Sequence, residues 1–149
     1  MSQAHRDLWP AEIGVSTMVA PVAILREQAA LLSEKTQGIV IGEVDPVRGA
    51  MENARRVLTG QATPEGSSSV SGRIEHAFRI RVPALGDYRY ELLRVIHDYQ
   101  LYPLTLVYYP ADEAFSLTSQ DEFIAELTAL LGREETLNIV HSLLAQVQQ

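Results

Sequence analysis

Between residues 73 and 82 the chain alternates without a break. Ile74, His76, Phe78, Ile80 and Val82 fall on one side, and Arg73, Glu75, Ala77, Arg79 and Arg81 on the other. A period of two with one apolar side predicts a half-buried strand. Pro83 to Asp87, with Gly86, supplies a turn, and residues 88–97 predict a second strand running back along the first. Residues 101–109 predict a third, with Tyr102-Pro103 near a bend or an edge. An earlier strand is predicted over residues 39–44, Ile-Val-Ile-Gly-Glu-Val, rich in β-branched side chains and ended by Asp45-Pro46.

The period changes at both ends of the chain. Residues 21–37 predict a helix: Pro21 suits a first helical turn, Leu25, Ala29 and Leu32 form one stripe flanked by Ile24 and Leu31, and Gly38 follows as a stop. Ser119 and Glu122 have the spacing of a capping box ahead of Phe123, Ile124, Leu127, Leu130 and Leu131, with Gly132 as the end of that helix. A last helix is predicted from about Glu134, with the stripe Leu137, Val140, Leu144 and Val147. Glu134 and Glu135 lie in its first turn, where the helix dipole favours anions. Between the first two strands, Met51, Ala54 and Leu58 fit a short helix within the ambiguous stretch 47–59. Residues 60–72, with Thr63-Pro64, Gly66 and Ser67 to Ser69, predict a flexible loop. Residues 1–20 have no clear period; Trp9-Pro10 is expected to anchor this arm on the body, since a lone Trp tends to be buried. Together these elements predict one α+β domain over residues 1–149. Its antiparallel sheet has about four strands, with one N-terminal helix and a C-terminal helix pair packed on it.

Composition narrows the chemistry. The 149 residues include no cysteine, which excludes disulfides, Cys-ligated zinc, iron–sulfur clusters and thiol nucleophiles. The net charge of -7 argues against nucleic acid as a partner. The charge is uneven: residues 111–149 hold seven acidic side chains against Arg133 alone, which suits either a solvated helical face or steering toward a basic partner. Lys35 is the only lysine. The first twenty residues carry Arg6, Asp7 and Glu12 without a continuous apolar run, and no stretch approaches the ~18 apolar residues of a membrane helix. The expectation is a cytoplasmic protein without a membrane segment.

Two constellations could carry function. With Val82 opposite Tyr88, a regular hairpin would place His76 opposite Arg94, on the side bearing Phe78, Ile80, Tyr90 and Leu92. Gln28 lies inside the apolar arc of the first helix and could approach both, and Glu43 could partner the buried cation. Gln28, His76 and Arg94 are therefore pocket candidates for an anion or small ligand, with Arg94 as clamp and His76 as acid or base. The same residues would equally serve as a polar network that fixes strand register. On the other side of the hairpin, Arg79 and Arg81 would oppose Glu91 and Arg89. Arg79, Arg81, Arg89, Tyr88 and Tyr90 are partner-binding candidates, since Arg and Tyr are enriched at interfaces. Leu93 and Val95 continue this side as apolar residues, which predicts that a helix or a partner covers one end of it.

No other chemistry is signalled. His5, His76, His97 and His141 are scattered without metal-ligand spacing. There is no Gly-x-Ser-x-Gly elbow, phosphate loop or dinucleotide fingerprint. No metal, no cofactor and no catalytic residue is expected.

Residues 21–36, Pro-Val-Ala-Ile-Leu-Arg-Glu-Gln-Ala-Ala-Leu-Leu-Ser-Glu-Lys-Thr, resemble a segment of a group of small bacterial proteins with no established activity. So do residues 83–90, Pro-Ala-Leu-Gly-Asp-Tyr-Arg-Tyr. The likeness covers most of the chain, with 47–72 as the divergent part. It implies no catalytic residue, and it singles out Gln28, Lys35, Tyr88 and Tyr90 for testing. The leading expectation is a non-enzymatic binding protein with a protein partner, such as the neutraliser of a toxin or other basic protein. The alternatives are a ligand-binding protein or enzyme with an Arg/His pocket, and a homodimer joined through residues 101–109 or the last helix.

Overall fold

The computed structural model describes residues 6–47 and 72–148. The short helix expected within 47–59 and the loop at 60–72 fall almost wholly outside them. Helix α1 (Pro21–Lys35) leads into β1 (Ile41–Pro46), β2 (Ile74–Val82), β3 (Tyr88–His97), β4 (Leu104–Tyr108) and β5 (Glu113–Leu117), followed by α2 (Gln120–Leu131) and α3 (Glu134–Val147). A short 3-10 turn, Pro83–Leu85, joins β2 to β3 and ends at Gly86 with φ of 66°. The fold is α+β, as expected, with one helix before the sheet and two after it.

The sheet has five antiparallel strands in the order β1-β2-β3-β4-β5, not about four. The additional strand is β5. It is only five residues long, and its Ala114, Phe115, Ser116 and Leu117 alternate too briefly to stand out from a loop. It is completed by pairing, with Leu106 opposite Phe115 and Leu104 opposite Leu117.

The three helices of the described residues lie on one face of the sheet. Leu25 and Ala29 of α1, Phe123, Leu127 and Leu130 of α2, and Leu143 of α3 share one core with Phe78, Ile80, Val82, Leu93, Val95, Leu106 and Tyr108. Helix α1 sits very close to β1. A Cβ at Gly42 would lie 2.6 Å from the Ala29 backbone, so only glycine fits. The Gly42 N–H donates to Ser33 Oγ at 3.0 Å, which ties the outer edge of β1 to the helix. At the other side, Ser119 caps α2 by accepting from the Glu122 N–H at 3.2 Å. Glu122 in turn accepts from the N–H and hydroxyl of Thr118, and these bonds hold its carboxyl below its ordinary pKa.

The register of the central hairpin departs from the regular one. Val82 pairs with Tyr88 and Arg79 with Glu91, as expected, but Phe78 pairs with Leu93. Leu92 is thus the extra residue of a β-bulge. Both Leu92 and Leu93 are buried. Beyond the bulge every residue of β3 changes sides: Leu93, Val95 and His97 turn to the helices, and Arg94 and Ile96 turn away. The apolar pair Leu93 and Val95 therefore needs no cover on the charged face. The bulge itself places both in the core.

Candidate functional site

Three features of the surface bear on function: a cleft among the helices, a lattice of charges on the opposite face, and an apolar arm.

The cleft lies between α1 and the α2–α3 corner and encloses about 350 Å³. One wall is a second stripe of α1, Gln28, Leu31, Leu32 and Lys35, spaced i, i+3, i+4 and i+7. Phe78, Ile80 and Leu92 form the floor, and Leu131, Thr136, Leu137 and Val140 the far wall. On the α1 side, the wall is held by the close approach of α1 to β1 at Gly42. The α2–α3 corner is held just as firmly. Tyr108 Oη lies 2.6 Å from Thr136 Oγ1, whose hydroxyl donates to the Leu130 carbonyl at 2.7 Å. Arg133 stacks over the Tyr108 ring at 5.1 Å and pairs with Glu113 and Glu135.

Of the three residues expected to form an Arg/His pocket, only Gln28 lines this cleft. The expected opposition of His76 and Arg94 does not occur. His76 pairs with Val95 and Arg94 with Ala77, because the bulge at Leu92 shifts the register by one. His76 stays on the helix face, toward the β2 end remote from the cleft, with Nδ1 buried and unpartnered. Burial, and then the charges of Arg26 and His97, hold its pKa below the ordinary value. Arg94 is on the opposite face, bonded to Glu91 at 2.9 Å and Glu75 at 3.3 Å. Glu43 also lies on that face, where it partners Arg81 rather than Arg94.

The partner-binding candidates are likewise divided between two faces. Arg79, Arg81 and Arg89 are on the open face. Arg79 pairs with Asp45 at 3.2 Å and with Glu91 at 3.6 Å, and Arg81 pairs with Glu43 and with Asp87. Tyr88 and Tyr90 point to the helix side, where they border a shallow groove with Asn138, Ser142 and Gln146 of α3. Alternation already separated Tyr88 and Tyr90 from the arginines, and the pairing of Ile80 with Tyr90 confirms that separation.

The arm does not anchor as expected. Trp9 is 74% exposed, Leu8 88% and Val15 95%, and Ile13, Met18 and Val19 are exposed as well. Residues 12–20 belong to no helix or strand. The arm's root lies beside Leu101, Tyr102 and Gln120, at the end of the sheet remote from the cleft. Nothing in the sequence around Trp9 signals this exposure, since residues 1–20 have no clear period.

Among the described residues, no three His, Asp or Glu side chains converge as a metal site requires. No helix there is long and apolar enough to cross a membrane. Comparison with protein-family models, with curated proteins and with solved structures finds no match for the chain.

Proposed function

We propose that the chain is a non-enzymatic protein-binding module whose N-terminal arm docks on a protein partner by strand addition. The observation that carries this reading is the run of large apolar side chains from Leu8 to Val19 standing in solvent. Exposed apolar surface on this scale marks an interaction site. Although residues 1–20 as a whole have no clear period, Ile13, Val15, Thr17 and Val19 occupy every second position, so an added strand would present them as one row to a partner sheet. Among the described residues the arm's hydrogen bonds are local: the Trp9 N–H donates to Asp7 and the Met18 N–H to Ser16. Most of the backbone is thus left for a partner edge. The root of the arm lies next to Gln120, where the acidic Asp121 and Glu122 open α2, so a basic partner is favoured electrostatically.

The arginines of the open face contribute less to this reading, because Arg79, Arg81 and Arg94 already have carboxylate partners. The separation of His76 from Arg94 likewise supports binding over acid–base chemistry.

The test is capture from an extract of the native cells by the immobilised chain, compared with Val15→Pro and Ile13→Asp variants. Val15→Pro removes a strand N–H and Ile13→Asp puts a charge in the added row. The intact chain is expected to retain one protein in a 1:1 ratio and both variants to lose it, with thermal stability unchanged. Binding should also shift the emission of Trp9, the only Trp of the chain, to shorter wavelength. Equal capture by the variants overturns the reading. So does a chain that only pairs with itself, seen as twice the monomer mass in light scattering.

A further inference from the structure

The cleft lies at the other end of the sheet from the arm and calls for an occupant of its own. We infer that it binds a medium-chain aliphatic carboxylate, with the chain on the apolar floor and the carboxylate at Lys35. The inference does not rest on the arm's role.

Volume sets the first limit. About 350 Å³ is at the lower end of small-molecule sites, which suits a single chain and not a bulky cofactor. The lining sets the second. Phe78, Ile80 and Leu92 offer no polar atom from their side chains, and Leu31 and Leu137 face the opening from opposite walls, partly exposed. Apolar residues left in this state gain stability from any hydrocarbon that covers them.

The polar groups then decide the head. Thr136 is committed to Tyr108 and Leu130. Gln28 and Lys35 remain, and Lys35 is the sole charged side chain of the lining. No carboxylate among the described residues forms an ion pair with it. One facing cation matches one negative charge, a carboxylate and not a doubly charged phosphate. In a chain of net charge -7, an anion has to be held by such a local cation. Lys35 and Gln28 are seven residues apart on α1, about 10 Å along the helix axis. A chain starting at Lys35 therefore runs over Leu31 and Leu32 toward Gln28 within the cleft.

The experiment is calorimetric titration of the full chain with hexanoate, octanoate, decanoate and the uncharged decanol, all below micellar concentration. Each added methylene is expected to tighten binding about fourfold until the cleft is full, the equivalent of about 0.8 kcal/mol per methylene. Decanoate is expected to bind about fivefold more tightly than decanol, the size of an exposed ion pair. Lys35→Met should remove the acid-over-alcohol preference while keeping the dependence on length. Leu137→Glu, at the partly exposed rim, should abolish binding with the fold intact by circular dichroism. The assignment is overturned if no acid binds, if Leu137→Glu leaves binding unchanged, or if Lys35→Met keeps the preference. A chain lacking residues 6–17 should bind decanoate with the same affinity. Tighter binding by that chain would make the arm the cleft's occupant and would overturn the ligand assignment, whereas loss of partner capture alone concerns only the arm.

Discussion

Tyr108 and Thr136 join the sheet to α3 through a single buried hydrogen bond of 2.6 Å. Since the Thr136 hydroxyl donates to the Leu130 carbonyl, Tyr108 is the donor in this bond and Thr136 the acceptor. The two partners are not equivalent. Tyr108→Phe removes one bond and leaves Thr136 satisfied, at a cost of about 0.5–1.5 kcal/mol. Thr136→Val strands the Tyr108 hydroxyl in the core, at about 1–3 kcal/mol for a buried unsatisfied group, while the Leu130 carbonyl keeps the Arg133 N–H at 3.2 Å. Urea denaturation of both variants should rank Thr136→Val as the more damaging, and the double variant should lose less than the sum.

Gly42 is expected to tolerate no side chain. Gly42→Ala would bring a methyl carbon to 2.6 Å from Ala29 Cα and O, both backbone atoms of a packed helix. Relief requires moving α1 off β1, an overpacking cost of about 1–3 kcal/mol. Denaturant midpoints should fall for Gly42→Ala and fall further for Gly42→Val. An unchanged midpoint for Gly42→Ala would refute the close approach.

His76 should make stability depend on pH in a defined window. Its folded pKa lies below the ordinary 6.5, first through burial and then through Arg26 and His97. Between the depressed folded value and 6.5 the unfolded chain binds the extra proton. Stability therefore rises with pH across that window and is lost as pH falls through it. His76→Gln should flatten this part of the profile, measured as denaturant midpoints between pH 5 and 7.5. Any slope retained at lower pH belongs to carboxylates such as Glu122, whose pKa is also lowered.

Arg94 is predicted to stabilise the open face without contributing to the cleft. Its guanidinium bonds Glu91 and Glu75 on the side of the sheet away from the helices. Arg94→Met should cost about 1–2 kcal/mol, between an exposed pair and a partly buried charged hydrogen bond. Decanoate affinity should not change. Loss of ligand binding by a folded Arg94→Met chain would contradict the register across the bulge.

The central hairpin shows where sequence patterns hold and where they stop. Alternation from Ile74 to Val82 and the turn at Gly86 correctly set Val82 against Tyr88 and Arg79 against Glu91. Counting on by twos then fails at Leu92. The doublet Leu92-Leu93 is the trace of the bulge in the sequence, since two adjacent leucines on a one-sided strand can both be buried only if the strand gains a residue. Arg94, flanked by Leu93 and Val95, carries the same message. Gln28 is legible from its place in the α1 arc, whereas Leu31 and Leu137 as facing rims of one cleft are not. They lie on helices separated by the whole sheet in sequence.

Local patterning by itself determined the α+β class, the positions of α1, α2 and α3, the antiparallel course of β2 and β3, and the exclusion of cysteine chemistry. The elements follow from periods and caps acting over a few residues, and the last exclusion from composition. Tertiary structure alone decided which face Arg94 takes, that Glu113–Leu117 joins the sheet, that Trp9 stands in solvent, and that a cleft opens beside Lys35. Each of those outcomes depends on strand pairing or on how closely distant elements approach, as Gly42 does with Ala29. Such distances arise only when the whole core packs at once.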